Sequence, residues 1–304
     1  MDLLTCDGCE LVRNRIRNLV TFPGSPGFPL SNAQGVSFYN PDPDQISGKV
    51  LIADNLFEGI HADLARAIVF HNWAADTTIL RNTIRDVDQH GMLLLQNKGP
   101  VRINENLVAP GESSQSPFAT RGMVIVDPIG GSLAIARNTI DVEDPQGAAM
   151  IIDMAEAFGA ASGGLVIERN DVRMGGGASV GLLLANDISR ASVAHNKFSG
   201  AADFAWGLSA DLPDVVAGAN TFTANNISSF NSAVSDGFLD THTRNTLVVG
   251  NAGTVIDLGA GNRITGMTNL GQTGAGQQMR GTQDLRKELI WRQGLGGAPP
   301  PSRR

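Results

Sequence analysis

Asp127 and Asp153 end two similar apolar runs, GMVIVD at residues 122–127 and AAMIID at residues 148–153. Read as one position of successive structural repeats, they lie about 4.8 Å apart, the spacing of neighbouring strands. Two carboxylates that close resist joint ionisation, so one is expected to keep its proton and leave an acid beside a base or nucleophile. Cleavage of a glycosidic bond needs such a pair, about 5–5.5 Å apart for retention and about 6.5–9.5 Å for inversion. The same alignment sets His71 (AIVFHN, 67–72) and Gln96 (GMLLLQN, 91–97) in the column of the two aspartates, where they would hydrogen-bond sugar hydroxyls. Arg121, just ahead of the run that Asp127 closes, is a third candidate for substrate binding. The competing role for both aspartates is structural, because an Asp at a strand end commonly accepts hydrogen bonds from the backbone amides of the following turn.

These residues need a frame that returns the chain to the same place every few tens of residues, and the sequence has one. Asn14, Asn55, Asn82, Asn106, Asn138, Asn170, Asn196 and Asn220 recur at intervals of 24 to 41 residues. Three residues before them stand Leu11, Ile52, Ile79, Ile103, Ile135, Ile167 and Val193, with Ala217 the exception, and two residues after them an Ile, Val or Phe follows each time. A fixed motif at varying intervals describes a constant framework with variable loops, and repetition at this period marks a solenoid. Alternating β-branched and apolar residues predict strands, and the 3.6-residue periodicity of helical repeats is absent. Asn enters the left-handed region readily and is expected to turn the chain there, while stacked Asn side chains form a hydrogen-bonded ladder.

The pattern I-x-x-N-x-apolar, a loop, then a Gly-led apolar run resembles the right-handed parallel β-helix repeat of the pectin-lyase-like superfamily, over residues 1–267. The resemblance implies an all-β solenoid with three strands per coil, a polysaccharide or glycan partner met along the first strands, and an extracellular or cell-surface location. It implies a polysaccharide hydrolase or lyase, with a non-enzymatic adhesion or carbohydrate-binding module as the alternative. The signature motifs of polygalacturonase-like hydrolases are not matched: NTI and NTF stand where N-T-D would, Gln89 precedes His90–Gly91, and Thr265 follows Arg263–Ile264. No cofactor is implied, and the calcium of pectate-lyase-like enzymes finds no corresponding Asp motif.

In the first strands, Ile68/Phe70, Leu93/Leu95, Val124/Val126, Met150/Ile152 and Leu182/Leu184 are read as inward. That leaves Val69, Leu94, Ile125, Ile151 and Leu183 as an outward apolar column, followed two residues on by His71, Gln96, Asp127, Asp153 and Ala185. An exposed apolar strip invites a cover, either a folded-back loop such as residues 109–121 or a second copy of the chain. Arg13, Arg81, Arg137 and Arg169 share the register just before the Asn and are read as a solvated face rather than a basic ridge. His61, His90 and His242 are read as loop or surface residues.

The 304 residues suit one solenoid, which grows by adding coils. A net charge of −7 argues against a nucleic-acid partner, and no apolar run is long enough to span a membrane. Cys6 and Cys9, the only cysteines, form a lone C-x-x-C that is weak as a zinc site and reads better as two ordinary repeat positions. Residue 1 already begins a coil without capping residues, which suggests the C-terminal part of a longer β-helix. From residue 268 the chain turns polar, with a short helix expected at 283–293, able to cap the last coil, and a disordered tail.

Overall fold

The computed structural model describes residues 8–21, 30–39, 48–73, 75–112, 116–128, 131–154, 164–177, 179–209 and 217–271, and the backbone of residues 2–3. Strands succeed one another in threes, and each third strand returns to the same sheet beside its predecessor. The result is a parallel β-helix of the right-handed type, with sheets of eleven, ten and eight strands. Among the described residues there is no α-helix. The expected helix at 283–293 and the tail fall outside them.

The core is a set of stacked columns. From the first sheet come Ile68, Met92, Met123, Met150, Leu182 and Trp206 in one column, and Phe70, Leu94, Ile125, Ile152, Leu184 and Leu208 in the next, all buried. The Ile/Val residues three before each Asn supply the second sheet, and those two after it the third. Phe38 stacks on Phe70 at 4.5 Å, and Trp73 meets both edge-on. Since each coil buries apolar side chains only against the coils above and below, the repeats stabilise one another in a line.

A column of small residues (Ala67, Gly91, Gly122, Ala149, Gly181, Ala205) fixes where each first strand enters the stack. A Cβ on Gly91 would lie 2.6 Å from the Gly122 carbonyl oxygen and 2.5 Å from Val108 Cγ1, so a side chain there would push the coils apart.

The Asn ladder is formed, and it differs from expectation in two respects. It runs Asn14, Asn55, Asn82, Asn106, Asn138, Asn170, Asn196, Asn225, Asn251. Along it the Oδ1 of one Asn accepts from the backbone N–H of the Asn before it, and at all but the last step from that residue's Nδ2 as well. Each Nδ2 from Asn55 onward also donates to a carbonyl of the preceding coil, as Asn138 does to Ile103 O at 2.8 Å. Asn220 is not a rung: it accepts from Ala191 N at a separate, shorter corner bounded by strands Ala217–Gly218 and Thr243–Arg244. That explains why Ala217 breaks the pattern, since Phe222 and Val248 precede the true rungs by three residues. The left-handed residue is also not the Asn but its predecessor: Arg13, Asp54, Arg81, Glu105, Arg137, Arg169, His195 and Ala224 all have φ between 50° and 59°. With its N–H and amide both held by the next coil, the Asn stays extended and the turn falls one residue earlier.

Those predecessors face solvent, and several pair. Arg81 Nε meets Asp54 Oδ1 at 2.7 Å and Arg137 Nε meets Glu105 Oε1 at 3.2 Å. The hydrogen bond from Arg81 holds the Asp54 carboxyl below its ordinary value. The expected solvated face is what this register is. No helix among the described residues is long and apolar enough to cross a membrane.

Candidate functional site

The outer face of the first sheet carries the residues singled out above, in a register one residue different from that expected. Leu93 pairs with Val69 and Leu95 with His71; Val124 pairs with Leu93 and with Ile151, and Val126 with Leu95 and Asp153. Leu94 and Ile125 are therefore core residues, and Leu93, Leu95, Val124 and Val126 face outward. The expectation aligned the runs on their trailing polar residues, whereas the coils are aligned by the leading Gly or Ala.

This register moves Asp127 and Gln96 out of the column of His71 and Asp153. Both sit at the turn leaving the sheet, with φ of 47° and 53°. Asp127 still adjoins Asp153, because its backbone N–H donates to the Asp153 carbonyl oxygen at 2.8 Å. Asp153 faces outward, and its Oδ1 accepts from Asn186 Nδ2 of the next coil. Asp127 is 2 % exposed and Asp153 4 %. Of the predicted site residues these two are brought together, staggered by one residue rather than opposed.

His71 lies two coils before Asp127, against the ring of Tyr39 at 5.2 Å with the planes 59° apart. Burial, and after it the positive charge of Arg66, hold its imidazole below the ordinary 6.5. Arg121 is at the other edge of the sheet. It leads its strand, Arg121–Val126, so six residues of extended chain, about 20 Å, separate its Cα from that of Asp127. It is 1 % exposed, its Nη1 lies 3.3 Å from His90 Nε2, and burial pushes its pKa down to about 10 against the opposing pull of Asp144. Because a guanidinium only donates, His90 Nε2 accepts, which places the proton of a neutral ring on Nδ1.

A second column was not anticipated. Arg66 pairs with Gln34 on one side and His90 on the other, and His90 pairs with Arg121. Two arginines and a histidine thus stack along the entry edge of the sheet, all buried. His90, expected at the surface, is enclosed. The signal is R-A-I at 66–68, H-G-M at 90–92 and R-G-M at 121–123: a cationic or imidazole side chain immediately before the small residue of three successive coils.

Between the two edges lies the apolar strip Leu93, Leu95, Val124, Val126, Ile151 and Leu183, with Ala148 and Ala185. It is not exposed: every member is buried within the single chain. The reason for expecting a second copy on this face is therefore removed. Part of the 109–121 loop does fold back, with Ser116 Oγ donating to the Asp63 carbonyl oxygen at 2.7 Å, at the head of strand Leu64–His71. The face opens toward the N-terminal coils, where Asn32 and Tyr39 are exposed and Gln34 and His71 half-buried.

Among the described residues no group of three or more His, Cys, Asp or Glu side chains could hold a metal ion. Cys9 is disulfide-bonded rather than a zinc thiolate, and it stands at an ordinary repeat position of the second sheet, paired with Val50 and packed against the core. Compared with protein-family models, with curated proteins and with solved structures, the chain matches none of the three. What the structure establishes is the parallel β-helix architecture, and architecture alone assigns no activity.

Proposed function

We propose that this protein is a glycan-binding β-helix module that engages its ligand on the outer face of the first sheet at the N-terminal end, around Tyr39 and His71. The observation that supports this reading is the opening of the face at that end. Tyr39 is 39 % exposed on a face that is otherwise closed along strands His90–Leu95 and Arg121–Val126. An exposed ring offers a flat apolar surface to the C–H face of a sugar. Asn32 and Gln34, on the same strand, offer amide donors and acceptors to its hydroxyls. Gln96 extends the polar lining at the turn.

The second reading, a polysaccharide hydrolase or lyase, rests on the adjacency of Asp127 and Asp153. It is the weaker of the two because both carboxylates are almost entirely enclosed and one already accepts the Asn186 amide. The experiment that separates the readings is a panel of neutral and acidic polysaccharides, scored for binding by calorimetry and for cleavage by reducing ends and unsaturated products. Binding without cleavage is the expected result. Cleavage that is lost in Asp127→Asn or Asp153→Asn while folding is retained would install the hydrolase or lyase reading instead.

A further inference from the structure

We infer that Arg66 is the anchor of a binding site for a small oxyanion, a carboxylate or a phosphoryl or sulfuryl group, on the outer face of the first sheet. The inference is independent of the glycan reading. Arg66 is 8 % exposed, yet its guanidinium makes no hydrogen bond and no ion pair with any described residue. Its neighbours are engaged elsewhere. Gln34 Nε2 donates to Asn32 Oδ1 at 3.4 Å, and the Nε2 of His90 faces Arg121. The carboxylates nearest in sequence are also occupied. Asp63 Oδ2 accepts from the N–H and Oγ of Ser31 at 2.7 and 2.8 Å. Asp88 accepts from Ala62 N–H through Oδ2 and lies 3.1 Å from His61 Nδ1 through Oδ1.

The contrast with the exposed arginines is informative. Arg17, Arg81, Arg85, Arg102, Arg137 and Arg173 each meet a carboxylate, although exposed pairs contribute little. At Arg66, where burial makes an unpaired charge costly, no counter-charge is supplied by the described residues. Burial alone accounts for the lowering of its pKa to about 10, with no carboxylate opposing it, so the residue stays cationic at neutral pH. Its field reaches His71. A guanidinium so placed presents its donor fork to a planar or tetrahedral oxyanion in the bidentate geometry that suits both, and low surrounding polarity strengthens the attraction.

The test uses the full chain at fixed ionic strength, with potassium acetate, phosphate or sulfate titrated against chloride and the melting temperature recorded. The expected result is a saturable rise with at least one oxyanion over chloride. The rise should be absent in Arg66→Gln and shifted at least tenfold to higher concentration in Arg66→Lys, which keeps the charge but loses the fork. A preference for acetate assigns a carboxylate ligand, and a preference for phosphate or sulfate assigns an ester of those acids. Since a substitution at a buried site can disturb folding, the wild-type protein supplies a second readout. An oxyanion on Arg66 cancels the field at His71, so the NMR titration midpoint of that imidazole should rise when the site is saturated. No oxyanion effect beyond chloride, an undiminished response in Arg66→Gln, or an unmoved His71 midpoint at saturation would overturn the inference.

Discussion

The Asn corner and the outer face of the first sheet are built on the same coils and obey opposite rules. At the corner one residue type recurs nine times, and the backbone N–H of each rung donates to the Oδ1 of the next. On the outer face the residue at a given position changes from coil to coil: Gln34, Arg66, His90, Arg121 and Ala148 along one edge, Tyr39, His71, Leu95, Val126 and Asp153 along the other. Uniformity at the corner follows from its task, since a rung works only if both neighbours offer the same amide. Variation on the face means that no stacking requirement fixes those residues, which leaves them available for recognition. Substitutions should therefore separate cleanly, with stability lost at the corner and binding lost on the face.

The largest effect is expected at a rung. Asn138→Ala strands the Asn106 N–H and the Ile103 carbonyl in a buried environment, at a cost of about 3 kcal/mol. For a chain of this length that corresponds to a fall of roughly 5 °C in melting temperature. Its neighbour Arg137 tests the turn. Arg137→Val forces a β-branched residue into the left-handed region and should cost about 1 kcal/mol. Arg137→Gly should stay within about 0.5 kcal/mol, because the lost ion pair is exposed and glycine relieves the strain. Equal losses for Val and Gly in denaturant titrations would show that the turn is not at this residue.

The smallest stability effect is on the face and depends on pH. His71 is held below 6.5 in the folded protein, so just below that pH the unfolded chain binds more protons than the native state. Its contribution to stability is full above about 6.5, declines as the pH falls, and levels off once the folded value is passed. His71→Gln should remove that part of the slope in denaturant midpoints measured between pH 7 and 5. A slope as steep in the variant would assign it to other groups.

The sequence disclosed the corner and the core because their residues alternate and repeat. Ile135, Asn138 and Ile140 stand in a spacing that only a coil of strands satisfies, and the three sheets follow from it. The first strands were harder to read. A run such as GMLLL is apolar at every position because it is buried on both faces, so alternation could not tell inside from outside. The register there is set by steric contact at the leading Gly or Ala, a signal weaker to the eye than the Asn that trails it. Hence the sequence pattern places Leu94 and Ile125 outside and Asp127 level with Asp153, and it does not single out the buried column of Arg66, His90 and Arg121. That the apolar strip needs a cover is legible, and Ser116 of the 109–121 loop does fold back onto Asp63, 53 residues away in sequence.

The central claim, that the open end of the first-sheet face binds and the Asn corner only supports, is tested most directly by Tyr39→Ala. The wild-type protein and this variant are titrated with the polysaccharide that the panel identifies, and their melting temperatures are compared. The account predicts at least a tenfold loss of affinity with the melting temperature changed by no more than about 1 °C, the scale of a surface substitution. Affinity unchanged in Tyr39→Ala would contradict it and move the binding surface elsewhere on the molecule.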